Sequence, residues 1–163
     1  MDGPVRLHLL RHAHAGDPAK WRGLDADRPL SDRGRDQARR LGSILAAAGF
    51  APDAIMTSPK LRAAETARIV ADALGLDVAS WPELAGPLSL PDLDSLLTAS
   101  GSPRRPLMVG HDPDFSQLAA SLTGMPALAL RKGSLARIDA DRPLREGRGM
   151  LRWLVPPDVL GDG

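Results

Sequence analysis

Val5-Arg6-Leu7-His8-Leu9-Leu10-Arg11-His12-Ala13-His14 is a short apolar run that breaks off into a cluster of basic side chains. Its first part, Val5 to Leu10, reads as a buried strand. Similar short runs follow at Asp53 to Thr57, Val78 to Trp81, Pro106 to Gly110, Leu135 to Asp139 and Met150 to Val155. Helical stripes lie between them. Ser31 to Ala48 carries Ala38, Leu41, Leu45 and Ala48 on one face and stops at Gly49. A second helix from about Pro59 to Leu74 aligns Ala63, Ala67, Val70 and Leu74 ahead of Gly75. Leu90 to Ala99 and Pro113 to Leu122 supply two more, the latter with Phe115, Leu118 and Leu122 in register. Strand-helix alternation of this kind predicts an α/β protein: a three-layer α/β/α sandwich whose mostly parallel sheet has helices on both faces. Ligands in such folds sit outside the carboxyl ends of the strands.

The whole chain sets wide bounds on function. Its 163 residues are expected to form one domain, residues 1–163, and no internal repeat or long linker divides them. Apolar residues make up 43% and charged residues 25%, with a net charge of +1, so there is no global attraction to nucleic acid or to an acidic membrane. Arginine accounts for 18 of the 21 basic residues, which base composition explains as well as phosphate binding does. The absence of cysteine removes disulfides, thiolate chemistry and cysteine-ligated metals. No signal peptide and no membrane-length apolar run is read, so the expected location is the cytoplasm. The pattern leaves the oligomeric state open.

Three strand ends carry the unusual chemistry. The first gives Arg11-His12-Ala13-His14, the second Ser58-Pro59-Lys60-Leu61-Arg62, the fourth Gly110-His111-Asp112-Pro113. In a parallel sheet all three project from one edge, so two histidines and two arginines converge on one crevice. Ser58-Pro59 and Asp112-Pro113 each look like an N-cap followed by proline at the first helical position. Helix N-termini favour anions, and a guanidinium in the first turn of a helix can reach back to the same anion. The cluster therefore reads as a phosphate site. With no cysteine and no evident carboxylate cage, it points to covalent catalysis by histidine, in which a neutral imidazole attacks phosphorus and water hydrolyses the phosphohistidine. No metal or other cofactor is expected.

These residues resemble a known family. Leu10-Arg11-His12-Ala13, Ser58-Pro59 followed by Arg62 and Glu65-Thr66, and Gly110-His111 are similar to the histidine phosphatase superfamily, with its phosphoglycerate mutase-like fold. The stretch Arg28-Pro29-Leu30-Ser31-Asp32-Arg33-Gly34 and the short chain resemble its SixA-type phosphohistidine phosphatase branch. The resemblance implies His12 as nucleophile, Arg11 and Arg62 as ligands of the phosphoryl oxygens, and His111 as a second phosphate-binding histidine. The commonest form of the family has glycine after the nucleophile, where this chain has Ala13. Relatives also imply two candidates for the proton donor, Asp112 and Glu83, although an N-cap role is reason enough for Asp112.

Other residues divide between chemical and plain roles. His14 and Lys132 are expected at the rim of the site, with a solvated lysine the simpler reading of Lys132. His8, inside the first strand, is expected to be a packed core histidine. Residues 13–30, with Trp21 and two prolines, read as a loop over the site. The expected substrate is phosphohistidine in a phosphorylated protein, with a small-molecule phosphomonoester as the alternative. A metallohydrolase built on His12, His14 and His111, a non-catalytic phosphate-binding module and a phosphosugar mutase are the rival functions. The mutase reading suffers from the short path between Glu83 and His111, which leaves little chain for a lid.

Overall fold

The computed structural model describes residues 3–161. Its centre is a six-stranded sheet in the order β3-β2-β4-β1-β5-β6. The strands are β1 (Gly3–Arg11), β2 (Ala54–Thr57), β3 (Ala79–Ser80), β4 (Pro106–Gly110), β5 (Leu135–Arg142) and β6 (Met150–Val155). The first four run parallel, and β5 and β6 add an antiparallel edge beside β1. The helices are α1 (Asp32–Ala47), α2 (Leu61–Leu74), α3 (Leu90–Ala99) and α4 (Asp114–Thr123).

Alternation along β1 explains the two apolar layers. Val5, Leu7 and Leu9 face one side, where they join Leu93 and Leu97 of α3 and Phe115, Leu118 and Leu122 of α4. Leu10 faces the other, against Leu41 and Leu45 of α1 and Ala63, Ala67 and Val70 of α2. Each fully buried leucine or phenylalanine contributes about 1.5–3 kcal/mol relative to exposure, so both helical layers are firmly held. His8 shares the α1/α2 side. It is buried, its ring 4.9 Å from that of Phe50 and its Nδ1 3.2 Å from the Pro106 carbonyl, a core histidine as expected.

Several element ends move inward or outward from the sequence reading. Asp53 lies just before β2 and accepts the backbone N–H groups of Arg104 and Arg105, both at 2.8 Å. The third strand shrinks to two residues at the sheet edge. Helix α2 starts at Leu61, two residues later than expected, because Lys60 and not Ser58 occupies the cap position. Helix α4 likewise starts at Asp114 after Pro113. Its first turn is nonetheless capped by Asp112, which accepts from Ser116 N at 3.1 Å and from Ser116 Oγ at 2.5 Å. Between Glu83 and His111 the chain forms α3 and packs against the sheet, so this stretch makes no cover for the strand ends. Among the described residues, no helix is long and apolar enough to cross a membrane.

Candidate active site

Strand register builds the site. Arg11 pairs with Gly110 and Thr57 with Val109, and the ladder continues one step past the strands: His12 N donates to Gly110 O, and Ser58 N to Val109 O, both at 3.0 Å. His12 is thereby level with His111 across β1 and β4, and Ser58 lies on the far side of β4. The two imidazoles come to 5.3 Å between ring centres, each about 5% exposed. Gly110, just before His111, leaves room for the Phe115 ring, since a Cβ there would stand 2.6 Å from it.

Hydrogen bonds fix the His12 tautomer and orient the His111 ring. His12 Nδ1 lies 2.7 Å from the Ala13 carbonyl, which can only accept, so Nδ1 carries the ring proton and Nε2 keeps its lone pair. His111 Nε2 lies 2.7 Å from Ser58 Oγ. That oxygen also accepts from Lys60 N at 3.2 Å; with its hydroxyl hydrogen turned to Nε2, the His111 proton lies on Nδ1. Sequence reading gave Ser58 a helix cap; its contact instead orients a ring 53 positions away.

The arginines are held from unexpected directions. Arg11 Nη1 donates to the Leu130 carbonyl at 2.8 Å and stands 3.8 Å from Asp112. Arg62, buried, gives both terminal nitrogens to Asp25: Nη1 to its carbonyl and Nη2 to its carboxylate, each at 2.9 Å. Asp25 sits on a 3-10 turn, Asp25–Asp27, and is held in turn by Arg28 Nε at 3.2 Å. Arg28 is itself buried and ties the turn to the Ala15 carbonyl at 2.7 Å. Residues 13–30 are thus fastened to the site by their own charged side chains. Neither Asp25 nor Arg28 stood out as a site residue in the sequence, where only the Arg28-Pro29-Leu30 pattern marked the region.

Five buried side-chain nitrogens and oxygens have no hydrogen-bond partner among the described residues, and three belong to this cluster: Arg11 Nε, Arg62 Nε and His111 Nδ1. Unpaired buried donors are costly, so their concentration at one place marks a site built for an acceptor. Burial pushes His12 down to about 3; the Ala13 hydrogen bond opposes the shift, while His111, Arg62 and Arg11 reinforce it. Burial also takes His111 to about 3, aided by Arg62, Lys60 and Arg11 and opposed by Asp25. Both rings are neutral in the free protein. For His12, burial is a larger cause than the nearby cations.

The remaining expected residues scatter. His14 stands at the rim, its Nδ1 2.6 Å from Ser31 Oγ, and lines a pocket of about 370 Å³ with Arg11, Arg33 and Lys132. Lys132 is half-buried, and burial followed by Arg11, Arg28 and Arg62 lowers its pKa, which places it in the field of the cluster. Glu83 is exposed on a 3-10 turn, Pro82–Ala85, with no hydrogen bond or ion pair to the four central residues. Among the described residues, no three His, Cys, Asp or Glu side chains are placed to hold a metal ion, so His12, His14 and His111 do not form the ligand set of a metallohydrolase. Ala13 lies outside the left-handed region and packs its methyl group against Ala15, Leu30 and Ala38, while its N–H donates to Thr66 Oγ1 at 3.1 Å. An alanine serves that turn without strain. Gly133 does need its left-handed conformation (φ +81°), and its N–H donates to the carbonyls of both Arg11 and His12.

A mixed sheet flanked by helices, with a basic cluster at the ends of its parallel strands, defines a phosphoglycerate mutase-like α/β fold. The profile of the histidine phosphatase superfamily (branch 1) matches residues 7–86. An uncharacterized protein of Picosynechococcus sp. is 32% identical over 121 residues, covering 72% of this chain and 73% of its own. Phosphohistidine phosphatase SixA of Escherichia coli is 26% identical over 158 residues, 94% of each chain. The solved structure of the protein histidine phosphatase SixA complexed with tungstate superposes with a TM-score of 0.82 at 25% identity, over 96% of this chain and 99% of that one. The chain belongs to the histidine phosphatase superfamily.

Proposed function

We propose that the protein is a phosphatase that passes the phosphoryl group through His12 and acts on phosphohistidine in proteins. The observation that carries the first part is the pairing of a lone-pair nitrogen, His12 Nε2, with three unpartnered donors on Arg11, Arg62 and His111. His12 Nε2 attacks phosphorus as the bond to the leaving group breaks, and the three donors take up charge on the equatorial oxygens. Asp112, 3.8 Å from Arg11, in its protonated form supplies a proton to a leaving group that requires one and takes a proton back from the attacking water. Water then attacks the phosphohistidine, releasing inorganic phosphate and restoring the neutral ring. No step calls for a metal ion.

Likeness to SixA along nearly the whole of both chains supports the phosphohistidine substrate. So does the leaving-group chemistry. A phosphohistidine protonated on its distal nitrogen departs as neutral imidazole and depends less on an enzymic acid than an alkoxide does. Glu83, the other expected donor, makes no hydrogen bond or ion pair with the cluster, which favours Asp112 for this role.

The test is direct. His12→Ala should fold and lose at least about a thousandfold in turnover, since a nucleophile and not a packing group is removed. Rapid quenching with labelled substrate should trap an acid-labile, base-stable phosphoenzyme in the wild type and none in the variant. Activity in His12→Ala above a few per cent of wild type sinks the assignment.

A further inference from the structure

Beside the basic cluster lies a shallow groove of about 470 Å³ that the chemistry so far leaves unused. One end is Arg11 and Asp112. The walls beyond are Gln117 and Ala120 of α4 and the irregular stretch Pro126–Leu130, with Arg131 following it and Ala127 and Ala129 exposed to solvent. This apolar stretch is bolted to the site at both ends of its last residue: Leu130 O accepts from Arg11 Nη1 at 2.8 Å, and Leu130 N donates to Ser116 Oγ at 3.2 Å. Ser116 is also the residue whose hydroxyl binds the Asp112 carboxylate. The groove is therefore continuous with the phosphoryl site, on the side where Asp112 meets the leaving group.

We propose that this groove seats the residues next to the phosphorylated side chain of a protein substrate and selects apolar ones there. The inference rests on the phosphatase reading above and adds the specificity. A sugar or other polyol in the groove would lose water from its hydroxyls against a wall of alanine, proline and leucine side chains. An apolar side chain gains by the same burial. The open, shallow form fits an extended peptide lying along it, whereas a small ligand needs a concave site that encloses most of its surface.

The experiment compares kcat/KM on phosphoramidate, which has nothing to reach the groove, on a series of aryl phosphates of increasing size, and on two phosphohistidine peptides with leucine or serine flanks. Wild type should prefer the leucine peptide by roughly tenfold, the scale of one small apolar contact in a binding site. Ala127→Asp and Ala129→Asp, both at exposed positions, should erase that preference and leave phosphoramidate turnover unchanged. Equal rates on the two peptides, or a preference that survives both substitutions, overturns the proposal. So does a preference confined to small aryl phosphates of increasing size, which would make the groove a small-molecule subsite. Loss of phosphoramidate turnover in wild type would instead sink the phosphatase reading. The same peptide preference, read as equilibrium binding by His12→Asn protein, then still decides the groove.

Discussion

Asp25 takes both terminal nitrogens of Arg62, one with its carbonyl and one with its carboxylate, at 2.9 Å each. Two-point contact fixes the plane of the guanidinium and leaves Nε as a buried nitrogen with no partner among the described residues. The carboxylate is mostly exposed, at 58% of its side chain, so it also stands as a negative charge near the expected place of the phosphoryl group.

Removing that carboxylate should separate orientation from charge. In Asp25→Ala, Arg62 loses its clamp and kcat should fall about tenfold, the scale of one charge-assisted hydrogen bond. Competitive inhibition by inorganic phosphate should tighten at the same time, because a like charge is gone. Asp25→Asn keeps an acceptor and should retain most of kcat. A fall in kcat accompanied by weaker phosphate binding would show a general loosening of the loop instead.

Ser58→Ala tests the other orientation contact. His111 Nε2 would lose its partner at 2.7 Å inside a buried site, and the ring would no longer be held as the Nδ1–H tautomer. A tenfold or greater fall in kcat/KM is expected, from roughly 1–3 kcal/mol for an unsatisfied buried group. Nitrogen NMR of the imidazole should show mixed tautomers in the variant and one in wild type. A single Nδ1–H tautomer in both proteins would remove Ser58 from the role.

Protonation follows from burial. With His12 and His111 both lowered to about 3, neither ring should titrate between pH 8 and pH 5 in the free protein, and saturating phosphate should move both upward. A midpoint near 6.5 for His12 without phosphate would contradict the buried geometry. Stability should respond in the matching direction. Below pH 6.5 the unfolded chain binds protons at these positions and the folded protein does not, so their contribution is full above pH 6.5. It is lost as pH falls toward 3, with a slope of at most about 1.4 kcal/mol per pH unit for each ring. Urea midpoints for wild type and His111→Gln across pH 5–7.5 measure that slope, which should be shallower in the variant.

Gly110→Ala should destabilise the fold by about 1–3 kcal/mol, since the added carbon meets the Phe115 ring at 2.6 Å in a packed layer. Thermal unfolding of Gly110→Ala, alone and with Phe115→Leu, measures it. Relief of the loss in the double variant is expected, and additive losses would count against the clash as its cause.

Strand-helix order, both helical layers and the four residues of the central cluster were legible in the sequence because each rests on local periodicity or on a strand end. Arg11, His12 and His111 follow their strands directly, and Arg62 opens a helix. What escaped were contacts across long separations. Asp25 meets Arg62 from 37 positions away, and Ser58 meets His111 from 53, with no periodic signal to announce either. The two proline-marked helix starts misled for a related reason. Ser58 and Asp112 have cap-like chemistry, but the tertiary site engages Ser58 with His111, and Asp112 caps its helix from one residue further back.

The position of β4 between β2 and β1 has a consequence for the life of the chain before it is finished. Arg11, His12 and Arg62 are all made early, yet their strands never touch; the strand that joins them, and His111 with it, comes about fifty residues after Arg62. A ribosome-bound chain that has emerged only as far as α3 holds His12 and both arginines, with Ala13 tied to Thr66 and Asp25 to Arg62, but lacks the strand that sets β1 and β2 in register. The four-residue cluster is thus completed by the insertion of one central strand, late in synthesis, and a fragment ending before Pro106 should hold phosphate far more weakly than the whole chain however well its first half is preserved.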